Sequence, residues 1–279
     1  RKFNINLNFN NKFDINKRRK FFDRKDFKNE DKLLFSLIID LLPTNYLENF
    51  KFLFNSIRKN YSTTKLLYVE YFDDPIRFLA AQIKDNNGKL ILAQHGGAYF
   101  QEKLHFSSVY ERKISDKYLS WGNVKKTKVF PIGIIKNINV SSKISNKIIL
   151  EVRMRKSLYQ ETIKIDSGFS EGKRSLENLC KFFSLLKGKK ICKNLYVKLH
   201  ETKSIWQEKK QFLSHNPNLK FLDEKKLMIK EISSAKLIIH TYCGTGHLEC
   251  LAINKPTLIL FVHNINLFDE KSKNYIKKF

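Results

Sequence analysis

The stretch 236-KLIIHTYCGTGHLECLAINKPTLILF-261 decides how the rest of the chain is read. An apolar run ends at His240, and a turn rich in Thr and Gly follows. His247 to Ala252 begins a helical pattern, and after Asn-Lys-Pro a second apolar run, 256-PTLILF-261, completes the unit. Strand, turn, helix and strand in that order make one step of a parallel sheet. Its strands read as unbroken apolar runs because both faces are covered.

A second stretch, 90-LILAQHGGAYF-100, has the same form: an apolar run closed by Gln-His-Gly-Gly and an aromatic residue. Between and around the two, strand patterns alternate with helical ones. The first half gives strands at 65-KLLYVE-70, 89-KLILAQ-94, 117-KYLSW-121 and 128-KVFPIG-133, with helices near 75–86 and 101–113. The second half gives strands at 148-IILEVRM-154, 194-NLYVKLH-200, 219-KFLD-222, 236–240 and 256–261. Helices are expected there over roughly 170–187, 204–214, 224–235 and 245–253. Such alternation predicts parallel sheets with helices on both faces.

Upstream, 31-DKLLFSLIIDLL-42 carries an apolar helical face and stops at Pro43, and 44-TNYLENFKFLFNSIRKN-60 opens with a Thr suited to cap a second helix. Residues 1–30 lack clean periodicity and read as an irregular basic segment. A polar link, 136-KNINVSSKISNK-147, divides the chain into two α/β domains, 1–140 and 141–279. With Arg1 in place of a methionine and 270-EKSKNYIKKF-279 running on after the last strand pattern, the chain reads as cut short at both ends.

Composition restricts the choice of function less than it first suggests. The net charge is +26, which fits a polyanion partner such as nucleic acid, an anionic membrane or a phosphate-bearing substrate. The lysines are spread along the whole chain, however, and the abundance of Lys, Asn, Ile and Phe is what AT-rich coding sequence produces. No RRM, KH or helix-turn-helix pattern accompanies the charge, so no nucleic-acid partner is expected. No apolar run reaches the roughly 20 residues needed to span a bilayer. Cys180, Cys192, Cys243 and Cys250 form no CxxC pair and read as reduced and buried, which implies a cytoplasmic protein.

In open parallel sheets, ligands bind outside the carboxyl ends of the strands. His95, Gly96 and Gly97 sit at one such end, and His200 and Thr241 at two others. The turn after His240 offers an anion site: the first N–H groups of the helix beyond it, its dipole, and the hydroxyls of Thr241 and Thr245. Gly244 and Gly246 let a phosphate approach, His247 starts the helix, and Glu249 is placed to reach a sugar or ribose hydroxyl. An ordinary strand-to-helix turn has the same look. Lys198 and His200 alternate along a strand and share one face at its end, where a cation and an imidazole suit a nucleotide; a solvated lysine and a loop-bonded histidine fit equally. Arg153 ends the first strand of the second half and is a further candidate for diphosphate charge. Histidine exchanges protons near neutral pH, so His95, with Gln94, Gly96, Gly97 and Tyr99 around it, reads as a catalytic loop. The chain has no P-loop, GxGxxG, GxSxG or HExxH motif. Asp73-Asp74 is as well explained by a helix start before Pro75 as by a metal, and no metal site is expected.

Gln94-His95-Gly96-Gly97 with Tyr99, 116-DKYLSWG-122 and the block from His240 to Pro256 together resemble a GT-B glycosyltransferase. The likeness is closest to the transferases of bacterial O-antigen and surface-polysaccharide gene clusters, and it covers most of residues 65–261. GTGHLECLAINKP is its most specific part. The resemblance implies two Rossmann-like domains facing a cleft and no cofactor beyond a nucleotide-sugar co-substrate. It implies a cytoplasmic or membrane-peripheral enzyme that transfers sugar to a lipid-linked or oligosaccharide acceptor of the lipopolysaccharide type. On that basis His95 is the base, with Gln94, Gly96, Gly97 and Tyr99 in its acceptor-side loop. Arg153, Lys198, His200, Thr241, Gly244, Thr245, Gly246, His247 and Glu249 hold the donor. The basic surface would suit an anionic inner-membrane leaflet. GT-B enzymes carry more N-terminal strands and a closing C-terminal helix, and the chain departs from them there. A polyol-phosphate transferase using a CDP-glycerol-type donor shares the pattern. A basic nucleic-acid-binding protein and a GT-B domain that binds without turnover are the rival readings.

Overall fold

A computed structural model describes residues 13–23, 29–61, 65–69, 74–103, 105–134, 144–152, 169–200, 206–225, 228–260 and 265–277. Strands β1 (Leu66–Val69), β2 (Lys89–Ala93), β3 (Lys117–Ser120) and β4 (Val129–Pro131) form one sheet in that order. Strands β5 (Ile148–Glu151), β6 (Leu195–Lys198), β7 (Lys220–Phe221), β8 (Leu237–His240) and β9 (Thr257–Ile259) form a second, ordered β7-β6-β5-β8-β9. The helices are α1 (Ile15–Asp23), α2 (Asn29–Leu41), α3 (Phe50–Tyr61), α4 (Asp74–Asp85), α5 (Phe106–Ile114), α6 (Phe169–Leu186), α7 (Glu208–His215), α8 (Met228–Ser234), α9 (Thr245–Ala252) and α10 (Glu270–Ile276). The chain forms two compact units, one of residues 1–93 with 112–119, the other of 94–111 with 120–279.

In the first unit β1, β2 and β3 run parallel. Leu90 and Leu92 of β2 are buried, and Leu53 and Ile57 of α3 pack with Phe78, Leu79 and Ile83 of α4. Asp116 closes the edge between β2 and β3: its backbone N–H donates to Leu90 O at 2.8 Å and its carboxylate accepts from Leu90 N at 2.8 Å. That N–H, then Lys84 nearby, holds the Asp116 carboxyl below its ordinary range.

Two N-terminal expectations are corrected. Residues 15–23 form a helix rather than an irregular segment, and the reason is tertiary. Arg18 of α1 is 1% exposed, makes a two-pronged ion pair with Glu48 at 2.6 and 2.9 Å, and donates to Ile39 O at the end of α2. A planar guanidinium satisfies a carboxylate and a helix-terminal carbonyl at once. The second correction concerns Thr44. Thr44–Tyr46 is a 3₁₀ turn with no side-chain cap, and α3 starts only at Phe50, because Thr44 O is occupied by the N–H groups of Leu47 and Asn49.

In the five-stranded sheet of the second unit, β5 pairs with β6 and β8, β6 with β7, and β8 with β9, all parallel. Neighbouring residues of β5 face opposite cores. Leu150 and Val152 pack with Leu195, Val197, Leu179, Phe183 and Phe212, under α6 and α7. Ile149 packs with Ile238, Ile232, Ala235 and Cys250, under α8 and α9. Asn-Lys-Pro after α9 has a structural purpose: Asn254 takes φ 53°, and the buried Lys255 ammonium donates to Ser233 O and Ala235 O at 3.0 and 2.9 Å, closing the end of α8. Beyond β9, α10 is a helix that the strand-and-helix reading did not place. Its cap is Asp269, whose carboxylate accepts from Ser272 N at 2.9 Å.

The sheet order β7-β6-β5-β8-β9 puts a topological switch between β5 and β8, where the chain stops adding strands on one side and starts on the other. The carboxyl ends at that switch, Glu151 and His240, are register partners, with Lys198 partnering Glu151 from the other side. Doubly wound sheets bind their ligands at this position.

Arg18 also sets an acid limit. Its hydrogen bond, helped by the Asp14 N–H, lowers the Glu48 carboxyl from 4.5 to about 2. A carboxylate depressed on folding stabilises above its unfolded value and loses that contribution as pH falls from 4.5 toward 2. Arg18→Met leaves Glu48 buried without its cation and should cost about 3 kcal/mol in urea denaturation at neutral pH. The variant should also lose less stability than wild type on acidification through that window.

Candidate active site

The site is built where the loop after β2 meets the turn between β8 and α9, both within the second unit. β2 delivers Gln94, which is buried and acts as a brace. Its amide donates to Gly96 O at 2.7 Å and accepts from Trp121 N at 3.0 Å. Gln94 thereby fixes the exit from β2 and the conformation of the Gly-Gly turn.

Gly97 then rests directly on the first turn of α9. Its N–H donates to Thr245 Oγ1 at 3.0 Å, and a Cβ at position 97 would lie 2.6 Å from Thr245 N. Gly244 is equally constrained, since a Cβ there would come within 2.7 Å of the Tyr242 ring. Gly244 is the N-cap of α9 and brings no side-chain oxygen to its first N–H groups. Thr245 is half-buried. Accepting from Gly97 leaves its own O–H available to donate. The helix start that the sequence marks as an anion site and the histidine loop that it marks as catalytic are therefore one place.

His95 is half-buried, and Tyr99 Oη lies 2.7 Å from its Nδ1 and 3.4 Å from its Nε2. Tyr99 is buried and donates to Glu111 of α5 at 3.3 Å. Burial, then the Glu111 charge, pushes the Tyr99 phenol well above its ordinary range, so it stays protonated. The Tyr99 ring packs on His105 with centroids 4.3 Å apart. His105 accepts the Ser108 N–H at its Nδ1, and burial, then the His95 charge, lowers it, so it is neutral.

Beneath the turn lies a second polar cluster. Glu151 Oε2 is 2.7 Å from His240 Nδ1, and Tyr242 donates to Glu151 Oε1 at 3.0 Å. Cys250 Sγ lies 3.5 Å from His240 Nε2, and Cys243 Sγ lies 3.7 Å from His247 Nδ1. Carboxylate, imidazole and thiol in line have the composition of a nucleophilic triad. Yet Cys250 and His240 are 0% exposed, and burial, then the neighbouring carboxylates Glu151 and Glu249, pushes the Cys250 thiol up to about 12. A nucleophilic cysteine needs a thiolate and access; this one has neither, and it serves packing. Gly246 lies against this cluster, and a Cβ there would stand 2.9 Å from Glu151 Oε2.

The other sequence candidates fall as follows. Thr241 is buried and continues the sheet, its N–H donating to Glu151 O at 3.1 Å. His247 and Glu249 are buried on α9, beneath the turn rather than at its surface. Lys198 is buried at the end of β6 and donates to Asp223 O and Glu224 O at 2.5 and 2.9 Å. Burial lowers its ammonium. His200 follows two residues later and is half-buried. Arg153 and Asp73 lie outside the described residues. Among the described residues no cluster of three or more His, Cys, Asp or Glu side chains could hold a metal ion, and no helix is long and apolar enough to cross a membrane. Glu111 and Glu151 went unnoticed in the sequence. Glu151 left a signal, a lone charge inside the apolar run IILEV. Glu111 left none, because α5 turns Ser108 and Glu111 inward while Phe106 and Tyr110 are exposed.

His247 ties this cluster to pH. Burial, then the nearby His240, lowers it to about 4. The unfolded chain binds that proton near 6.5, so neutral His247 stabilises the fold above 6.5 and the contribution is lost as pH falls toward 4. Urea midpoints measured from pH 7 to 4 should fall with pH, and the fall should be shallower in His247→Gln.

The family model of the LIC12162 family transferase matches residues 2–279. No curated protein matches the chain in sequence. Among solved structures, a candidate UDP-N-acetylglucosamine 2-epimerase from Listeria monocytogenes matches with TM-score 0.50 and 8% identity, over 82% of this chain and 69% of its own. MurG of Acinetobacter baumannii matches with TM-score 0.44 and 12% identity, over 80% and 60%. The Methanocaldococcus jannaschii UDP-GlcNAc 2-epimerase, in complex with UDP-GlcNAc and UDP, matches with TM-score 0.45 and 14% identity, over 76% and 65%. At such identities the likeness concerns fold alone, and the fold is α/β of the GT-B type, with parallel sheets. With its match running over 2–279, the chain belongs to the LIC12162 family of transferases.

Proposed function

We infer that this transferase moves a sugar from a nucleotide-sugar donor to a hydroxyl of a surface-polysaccharide acceptor of the O-antigen type, without a metal ion. One observation carries the reading: Gly97 seated on Thr245 brings the half-buried His95 to the uncapped start of α9. An acid-base group and an anion site are the two parts that glycosyl transfer needs in one place. His95 takes the proton of the acceptor hydroxyl as its oxygen attacks the anomeric carbon. The bond from that carbon to the donor's phosphate oxygen breaks, and the nucleotide leaves with the electron pair. The developing negative charge falls on the Thr245 hydroxyl and the first N–H groups of α9, fixed donors that need no reorganisation during the reaction.

The membrane side of the reading rests on α2. Leu34, Leu37, Ile38 and Leu41 recur at helical spacing on one stripe and are 56%, 57%, 42% and 81% exposed. α1 packs on α2 and exposes Arg19 and Lys20. An exposed apolar stripe beside cations is the pattern of a helix lying at an anionic lipid surface.

Two experiments test these readings. In thermal-shift titrations against CMP, CDP, UDP and GDP, one nucleotide should raise the melting temperature, and Thr245→Ala should abolish the rise. His95→Ala should keep the rise and lower turnover of the matching nucleotide-sugar by about 100-fold or more. No response to any nucleotide overturns the donor site, and unchanged turnover removes His95 from the chemistry. In flotation assays the chain should bind vesicles containing phosphatidylglycerol, and Leu37→Glu with Leu41→Glu should remove most of that binding. Failure of wild type to float overturns membrane contact.

A further inference from the structure

We propose that the amino-terminal edge of the five-stranded sheet is a second membrane contact, fitted to a bilayer of anionic lipids and separate from the α2 stripe. The strands run parallel, so the residues that enter β5, β6, β7 and β8 gather at one edge. Lysines far apart in sequence meet there. Lys236 N donates to Lys147 O at 2.8 Å, and the ammonium groups of Lys147 and Lys220 both stand over the Tyr196 ring, 5.5 and 5.4 Å from its centroid. Lys220 also donates to Lys193 O at 2.7 Å. Lys193 ends a 3₁₀ helix, Lys190–Lys193, that follows the turn out of α6, and this stretch adds Lys187, Lys189 and Lys190. Of these seven lysines, six are exposed and Lys147 is half-buried. Glu231 reaches Lys147 at 3.8 Å, and among the described residues none of the other six forms an ion pair.

Helices α6 and α8 end at the same edge, and the carbonyl end of a helix draws cations. That accounts for Lys187 and Lys236, which follow Leu186 and Ser234 closely. It does not account for Lys189, Lys190, Lys193 and Lys220, which lie on a turn, a 3₁₀ helix and a strand start. Like charges gathered in this way repel one another, and an anionic surface relieves the repulsion. The residues among them indicate which surface. Leu185 is 74% exposed and Ile191 41% exposed, on either side of a turn that Gly188 makes at φ 76° and Lys189 N closes on Leu186 O at 2.9 Å. Apolar tips ringed by cations suit the boundary between headgroups and acyl chains. A nucleic acid is held by aromatic rings that stack on bases and by arginine forks on phosphates. Here the Tyr196 ring is covered by two ammonium groups, and the gathered cations are all lysine. Glu151, His240 and the start of α9 lie at the other end of the same strands, so lipid contact at this edge leaves the proposed donor end open to water.

Cosedimentation of the full chain with vesicles of phosphatidylcholine and phosphatidylglycerol, at about 0.1 M salt, measures the contact. Each lysine near an anionic leaflet contributes about 5-fold, so Lys187→Gln, Lys189→Gln and Lys190→Gln together should weaken binding on the order of 100-fold. Leu185→Gln should weaken it about 10-fold. A control triple, Lys173→Gln, Lys210→Gln and Lys225→Gln, removes the same charge near the carboxyl ends of the strands. It acts from beyond the screening length of about 10 Å and should weaken binding less than about 3-fold. Melting curves check every variant, and Lys187→Gln with Lys190→Gln replaces the first triple if that one does not fold. Equal losses in the two triples reduce the effect to net charge and overturn the proposal. Full binding by the first triple, with loss in Leu37→Glu plus Leu41→Glu, overturns it and leaves the α2 reading in place; the reverse pattern sustains it and removes α2. Wild type that binds no vesicle overturns both. Duplex DNA bound more tightly than vesicles at the same salt, weakened by the first triple and untouched by Leu185→Gln, overturns lipid as the partner.

Discussion

Two turns from distant parts of the sequence can touch backbone to backbone only if neither brings a Cβ to the contact. Gly97 meets that condition against Gly244 and Thr245, while a Cβ on Gly244 would meet the Tyr242 ring, and the Gly97 N–H completes the contact by bonding to Thr245 Oγ1 at 3.0 Å. A methyl group at position 97 would have to displace peptide atoms of Gly244 and Thr245, which cannot swing aside as a side chain can. A misplacement of about 1 Å in a catalytic loop can cost on the order of 100-fold in rate. The glycines act less as sources of flexibility than as empty space, and the placement of His95 depends on that space. Gln94 fixes the same turn from the other end through Gly96 O and Trp121 N.

The polar interior beneath the turn obeys a different rule. At the switch between β5 and β8, Glu151 is shared by His240 and Tyr242. An unmatched carboxylate in such a position would cost several kcal/mol, so the cluster is satisfied as a group. Burial drives the neighbouring thiols up and His247 down, and each group is held in its uncharged form at neutral pH.

Much of this architecture could be read from apolar runs and their punctuation. Every strand expected from the sequence is present within a few residues, because parallel strands buried on both faces write themselves as IIL, LYV or LII with polar residues at the ends. Several of the misses share one cause. α1 is poorly patterned because its anchor is a single arginine, Arg18, whose partners Glu48 and Ile39 lie 30 and 21 residues away. Glu111 looked like one more surface charge on a short helix, because the phenol it serves is 12 residues away across a loop. Lys198 and Lys255, one a candidate for phosphate and one overlooked, both spend their ammonium groups on backbone carbonyls of following or preceding turns. Residue type and spacing mark where chemistry is possible. They do not reveal which polar groups the fold has already used.

That distinction also decides among the histidines at this end of the sheet. His240 is fully buried, with Glu151 at one nitrogen and Cys250 at the other. His247 is fully buried, and burial lowers its proton affinity. His105 gives its Nδ1 to a helix-start N–H and is lowered by burial as well. His95 alone among these four combines partial exposure, a polar partner at Nδ1 and a position on the loop that rests on α9. A base must reach both solvent-borne substrate and a fixed hydrogen-bond partner, and of the four rings this is the one whose surroundings allow both.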